Sequence, residues 1–405
     1  MAIKATNLFV APSSDSSVEE IATPAAPAAP STVRAKLARM EADMNASFVE
    51  RREEVRGILI ATLAREHVLL LGPAGTGKSA LANTFCQSIG GAQFFQWLLT
   101  RFSAPEELFG PVSLSGLKAD EYRRVTAGKL PECHVAFLDE IYKANSAVLN
   151  SLLTAINERG FDNGKGRTRI PLETVIGASN ELAEGPELAA LHDRFLLRYW
   201  VDYTKTRDSF ERLMMGAEPS IASSVTLDEL HAAQAEVAAL PIGKGSIDEL
   251  FALRSELQVA GIIASDRRWR KALNILRAVS WLDGATEVTT ESFPILACVL
   301  WETPDQIVKL RQTVSRFSAP QLAEAQEVFD LVRGLAGNLP TSDHDDYAPR
   351  VTAVIRELKN ATAKLSLLQA QCSGRPSGEK IGEMKMELGR MHKTLRDQAR
   401  EAMGL

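Results

Sequence analysis

The order of apolar runs and helical stretches predicts an α/β fold, a parallel sheet with flanking helices, followed by an all-α domain and a C-terminal helical hairpin. Three observations carry this. Short apolar runs of strand length recur at residues 68–71, 94–98, 135–138, 174–178 and 195–201, with helical stretches such as residues 145–157 between them. That alternation is the pattern of parallel strands wrapped by crossover helices. Beyond residue 204 such runs stop, and the far C-terminal part keeps an apolar heptad.

Residues 1–31 are rich in Ala, Pro and Ser (ATPAAPAAPS), a composition that buries too little apolar surface to offset chain entropy, so they read as a disordered tail. The sheet and its helices take residues 32–204. Leu37, Met40, Met44 and Phe48, then Val55, Leu59 and Leu63, follow helical spacing with a break at residues 49–52, so two helices precede the first strand. The all-α domain takes residues 205–305. There Thr226-Leu-Asp-Glu229 and Ser246-Ile-Asp-Glu249 have the capping-box pattern that opens helices, and residues 265–282 and 290–301 continue the helical spacing. In the extension, residues 306–405, Val351, Val354, Leu358, Ala361, Leu365 and Leu368 keep a heptad, SGRPSGE turns the chain, and Ile381, Met384, Leu388, Met391 and Leu395 resume it. Two heptad stretches about a Gly/Pro turn predict an antiparallel hairpin, which either packs on its own protein or stands as an arm for a partner.

The chemistry starts at residues 72–79, GPAGTGKS, a complete GxxxxGK[ST] phosphate loop entered from the apolar run before it. Gly72, Pro73, Ala74, Gly75, Thr76 and Gly77 would fold with backbone N–H groups turned toward phosphates. Lys78 would reach the β- and γ-phosphates, Ser79 would ligate Mg²⁺, and Ala80 lies in the helix whose positive dipole end faces the anion. ATP with Mg²⁺ is the expected ligand. Hydrolysis needs more: a second metal anchor, a residue that activates water and a sensor of the γ-phosphate. Residues 135–140, VAFLDE, form a buried strand ending in two acids; Asp139 is expected to hold Mg²⁺ through water and Glu140 to orient the attacking water. Residues 174–179, TVIGAS, deliver Asn180 at a strand's C-terminal end, where parallel sheets place their ligands. Its amide can bond the γ-phosphate or the water without adding charge.

The blocks EHVLLLGPAGTGKSAL, LLTRFSAPEELFGPVSL, VAFLDEIYKANSAVLNSLLTAINERGFDNG, GASNEL, LHDRFLLR and SDRRWRKAL, spread over residues 33–301, resemble AAA+ ATPases of the MoxR family, nearest the branch called regulatory ATPase variant A. The family often has Ala where Gly77 stands. The resemblance implies a P-loop NTPase core with an α-helical lid, assembled as a ring, usually a hexamer, with ATP between neighbours. Arg194 in LHDRF matches the arginine finger that reaches the next subunit's γ-phosphate, with Arg198 as its rival. Arg267 matches sensor 2, an arginine of the lid that touches the same chain's nucleotide; Arg268 and Arg270 lie beside it. Phe48 and Val49 sit where the family often lines the adenine pocket, or serve as ordinary core. Residues 101–128, broken by Pro105, Gly110, Pro111 and Gly116, fit the family's helix-2 insertion. Residues 160–171, with an Asn-Gly turn, fit the hairpin before sensor 1. Lys165, Arg167 and Arg169 on it form either a solvated face or a contact for an acidic substrate or nucleic acid.

The family implies a chaperone-like machine acting on a protein client, commonly with a von Willebrand factor A partner. Two other readings stay open: a nucleic-acid motor, and a slow nucleotide-gated switch or adaptor. Against the first stand the net charge of −5 and the absence of a basic stripe interleaved with aromatics, although Arg390, Lys393, Arg396 and Arg400 lie on the hairpin. Cys86, Cys133, Cys298 and Cys372 show no CxxC spacing, so neither zinc nor a disulfide framework is expected. No apolar run of about 18 residues exists, and no signal-peptide core opens the chain, so a cytoplasmic protein without membrane insertion is expected.

Overall fold

The computed structural model describes residues 32–164, 166–216, 221–337, 339, 347–372 and 376–402. The expected tail, Lys165 and the first half of the SGRPSGE turn lie outside the described residues. Helices α1 (Thr32–Ser47) and α2 (Arg52–Leu63) precede the first strand, and their apolar stripes, Leu37, Met40 and Met44 on α1 and Val55, Leu59 and Leu63 on α2, are buried.

Strand β1 (Val68–Leu71) leads into α3 (Lys78–Gln87). After the two-residue β2 (Ile89–Gly90) come β3 (Phe94–Leu98), the short α4 (Pro105–Phe109) and α5 (Leu114–Lys118), β4 (Val135–Asp139) and α6 (Ser146–Glu158). Hairpin strands β5 (Gly160–Asn163) and β6 (Gly166–Arg169), then β7 (Thr174–Ser179), α7 (Pro186–Arg194) and β8 (Leu197–Trp200), complete the layer. The central sheet runs β3-β4-β7-β1-β8, parallel throughout, with Val68 beside both Ile176 and Leu197 and Val135 beside both Phe94 and Thr174. The runs VLLL, VAFL and TVIGAS are buried along their length, as strands covered by helices on both faces must be. Because all five strands point the same way, the C-terminal ends of β1, β4 and β7 open on one edge.

The chain continues through α8 (Arg207–Met215), β9 (Val225–Thr226), α9 (Leu227–Ala239), α10 (Ser246–Val259), α11 (Asp266–Leu282), a 3-10 stretch Thr290–Ile295, α12 (Leu296–Val299) and α13 (Gln306–Ser318). Two expectations need correction here. Strands do not stop at 204: β9 pairs in parallel with β2, a two-residue contact too short to leave a periodic signal. The box at Thr226 forms, its side chain and that of Glu229 each bonding the other's backbone N–H, but Ser246 is not a cap. Gly245 in the left-handed region is, and the Ser246 hydroxyl donates to the Val288 carbonyl at 3.0 Å. The helical spacing over residues 290–301 is met by the 3-10 stretch, with Pro294 inside it, followed by α12.

Residue 305 is also too early an end for the helical lid. Leu310 and Val314 of α13 are buried in the same apolar cluster as the sheet and lid, whereas α14 (Pro320–Gly337), α15 (Tyr347–Gln371) and α16 (Pro376–Ala402) share a core of their own. Ala325, Phe329 and Val332 of α14 meet Val354, Leu358, Ala361, Leu365 and Leu368 of α15 and Ile381 and Leu388 of α16. The heptad pair therefore packs on itself, with α14 as a third helix that the heptad pattern did not indicate.

Candidate functional site

Beyond Leu71 the backbone turns through Gly72 (φ 141°), Gly75 (φ 78°) and Gly77 (φ 83°) before α3 starts at Lys78. A Cβ on Gly72 would lie 2.0 Å from the Val201 carbonyl oxygen, while Gly75 and Gly77 face open space. Only glycine suits the first position sterically, and the left-handed turns that follow give the loop the form of an anion cradle at a helix N-terminus. The Lys78 ammonium donates to the carbonyls of Gly72 (2.7 Å) and Pro73 (2.8 Å) and to Asn180 Oδ1 (3.0 Å). Burial pulls its pKa below the ordinary lysine value, partly countered by the charges of Asp139 and Glu140.

The strand ends meet this loop. Ser79 Oγ donates to Asp139 Oδ2 at 3.1 Å, which puts two hard oxygen donors together in the way a Mg²⁺ site requires. Asp139 Oδ1 accepts from the Glu140 N–H at 2.9 Å. Glu140 itself is left-handed (φ 52°, ψ 43°), a conformation that costs a non-glycine residue about 1–3 kcal/mol and persists where the surroundings enforce it. They do so here: Asn180 Nδ2 donates to Glu140 Oε1 at 2.5 Å and Lys143 Nζ lies 3.3 Å from Oε2. Lys78 can only donate and a carboxylate can only accept, so the two partners of Asn180 fix its amide orientation. Lys78, Asn180, Glu140 and Lys143 thus form one continuous chain of charge-assisted contacts, with Ser79 and Asp139 beside it. The donor set fits a triphosphate and its magnesium ion.

Sequence reasoning missed Arg51. This buried side chain donates through Nε and Nη2 to the Thr76 carbonyl (both 3.2 Å) and through Nη2 to the Asp202 carbonyl (2.6 Å), bracing the loop from behind. In the sequence it lies within VERREEV, a charged run at the break between the first two helices. Tyr203 adds a bond from its hydroxyl to the Ala74 carbonyl at 3.2 Å. Phe48 is buried and Val49 half-buried beside this brace.

The expected arginines lie elsewhere. Leu197 of β8 pairs with Val68 at the start of β1, so Arg194 sits at the N-terminal edge of the sheet, about 10 Å of strand away from where β1 delivers the loop, at roughly 3.3 Å per residue. Arg267 corrects the expectation of a same-chain contact: its guanidinium bonds Asn157 Oδ1 near the end of α6, beside Arg194 and away from its own phosphate loop. The cause is the seat of α11. Lys271 pairs with Glu66 at 2.5 Å, just before β1, and buried Arg268 donates to the carbonyls of Asp193 (3.3 Å), Phe195 (3.3 Å), Leu196 (3.2 Å) and Val299 (2.6 Å). Burial and the neighbouring Arg267 charge lower the pKa of Arg194, and Asp193, 3.5 Å away, is its ion-pair partner. Arg198, the rival finger, is fully buried; its guanidinium bonds the carbonyls of Phe195 and Trp301, which removes it from any surface role.

The two insertions meet each other. Residues 101–128 break into α4, α5 and a bridge between Val112 and Arg124, and the Arg124 N–H donates to Asn163 Oδ1 of the hairpin at 2.7 Å. Arg167 pairs with Glu158, and β6 is exposed throughout.

A family model described as the MoxR domain in the MoxR-vWA-beta-propeller ternary systems matches residues 35–240, and an AAA lid domain matches residues 246–314. The chain belongs to the MoxR family of AAA+ ATPases. The description names the family and not the regulatory ATPase variant A branch, so the family is what the match establishes. Among relatives of this MoxR-family chain, uncharacterized protein MJ0812 of Methanocaldococcus jannaschii is 36% identical over 73% of this chain and 80% of its own length. Protein MoxR of Paracoccus denitrificans is 29% identical over 46% of this chain and 56% of its own. A candidate ATPase of Cytophaga hutchinsonii, known from its crystal structure, superposes with a TM-score of 0.56 over 70% of this chain and 94% of its own, at 17% identity, which speaks to fold alone.

Proposed function

We propose that this chain hydrolyses ATP in a ring of like subunits, usually six in this family, and uses the cycle to remodel or activate a protein client. Lys78 and the loop amides hold the phosphates, Ser79 and Asp139 hold Mg²⁺, Glu140 orients the attacking water, and Asn180 reads the γ-phosphate. Bound there, the ion would neutralise charge developing on the phosphate oxygens. One observation carries the assembly: the loop, the two acids and Asn180 gather at one edge of the sheet, while Arg194 and Arg267 stand together at the other. A site short of its own arginines is completed by a second copy, and the spare arginines serve the next one. Supplying that charge in trans makes turnover depend on assembly.

The family model is named for systems that pair a MoxR domain with a von Willebrand factor A protein, which supports such a partner here. None of the described helices is long and apolar enough to cross a membrane. The test is specific ATPase activity against protein concentration, with Glu140→Gln as the blank. Activity per chain should rise steeply and saturate. A flat activity above the blank, from chains shown by mass to be monomers, would overturn the ring.

A further inference from the structure

The contacts that hold Arg194 in place reach back to the segment that carries Glu140. Residues Ile141–Lys143 form a single 3-10 turn directly after Glu140, closed by a bond from the Lys143 N–H to the Glu140 carbonyl at 2.8 Å. From this turn the Tyr142 hydroxyl hydrogen-bonds Nδ1 of His192 at 2.5 Å. His192 lies on α7 two residues before Arg194. Both rings are buried, and burial, with the nearby Arg268 charge, keeps His192 neutral by pushing its pKa down to about 4; the tautomer with its proton on Nε2 presents Nδ1 to the hydroxyl as an acceptor. On its other side the same segment is held by Arg268, whose guanidinium takes the carbonyls of Asp193, Phe195 and Leu196. The backbone around Arg194 is therefore gripped by the lid and by the Glu140 turn at once.

We propose that Tyr142 is a positioning residue that acts through His192 on Arg194, so that each subunit's own Glu140 turn sets the arginine it supplies to its neighbour. The Tyr142 hydroxyl bonds His192 and not a side chain of the phosphate cluster. Glu140, pinned in the left-handed region by Asn180 and Lys143, shares its turn with Tyr142. A rearrangement of Glu140 when Asn180 and Lys78 take up a phosphate carries Tyr142 with it, and a small displacement of a charge-stabilising group is enough to change turnover. This inference rests on the reading that Arg194 acts in trans.

The test is chain mixing. Tyr142→Phe should leave ATP binding and assembly mass within about twofold of native while lowering turnover about tenfold. Mixed with an excess of Glu140→Gln chains, each competent phosphate loop meets a neighbour with an intact Tyr142–His192–Arg194 unit. Turnover per Tyr142→Phe chain should then return to within about twofold of native chains diluted the same way. His192→Leu should behave like Tyr142→Phe and carries the test if that variant does not fold. His192→Asn, which keeps an acceptor near the Nδ1 position, should retain at least about half of native turnover. Arg194→Ala mixed with Glu140→Gln is the control. Rescue in the control without rescue of Tyr142→Phe would overturn the proposal, since Tyr142 would then act within its own site or only on stability. Unimpaired turnover by Tyr142→Phe alone would overturn it too. Failure of the control would overturn the trans reading itself, and the proposal with it.

Discussion

The two ends of the central sheet are built on different principles. At the C-terminal end, three strand termini bring side chains directly together, and Lys78, Asn180, Glu140 and Lys143 bond one another. At the N-terminal end, Arg194 and Arg267 are placed by a buried neighbour, Arg268, that grips backbone carbonyls. The first end is preorganised by its own functional groups, and the second by packing of the lid. The first should therefore fail through chemistry when one residue changes, and the second through position.

The largest effect expected of that difference is on nucleotide binding. Lys78→Ala should weaken ATP binding at least about a hundredfold by isothermal titration, since it removes the ammonium that the loop carbonyls hold inside the cradle. Arg267→Ala, measured on chains diluted to monomers, should leave binding within about twofold, yet lower turnover of the assembled protein about a hundredfold. Equal loss of monomer binding in both variants would place Arg267 back at its own loop and erase the contrast between the two ends.

A smaller effect concerns the buried histidines that tie the layers together. His67 donates from Nε2 to the Ile156 carbonyl and accepts at Nδ1 from the Val175 N–H, both at 3.0 Å, so it is neutral, and burial pushes its pKa down to about 3. Its folded value lies below the unfolded one, near 6.5. The stability it confers is thus complete above pH 6.5 and falls as the unfolded chain takes up protons, by about 2 kcal/mol at pH 5. His192, near 4, acts in the same direction. Glu54 and Glu66, whose pKa values burial raises, pull the other way as they protonate. The contribution of one histidine is therefore best read as a difference: the urea midpoint of His192→Asn should drop less than that of the native chain between pH 7 and pH 5. Equal drops would mean that His192 is not held neutral.

Much of the first end was legible in the sequence. A continuous buried run such as VAFL announces a central strand, and once the sheet is parallel, the residue after each run must come to the shared edge. Asn180 was found that way. Arg51 escaped notice because a charged run gives no sign of which member is buried. The end of the sheet to which Arg267 is brought depends on where α11 packs, which the Lys271–Glu66 pair and the carbonyl grip of Arg268 determine; spacing along the chain is silent on both. α14 escaped because only Ala325, Phe329 and Val332 of it are buried, a stripe too narrow to stand out. Ser246 carried the right pattern for a cap, but Gly245 before it takes the left-handed turn without a side-chain partner.

The central claim, that each site is assembled from two chains, is tested most directly by mixing two inactive proteins. On this account Arg194→Ala would have an intact phosphate loop and no finger to supply, and Glu140→Gln would have the finger and no residue to orient the water. Each alone should turn over ATP at least about a hundredfold more slowly than the native chain. Mixed in equal amounts, they should regain a substantial fraction of native activity, because some interfaces pair the intact Glu140 of one with the intact Arg194 of the other. A mixture shown by mass to contain both chains in one assembly, yet no more active than its parts, would contradict the account.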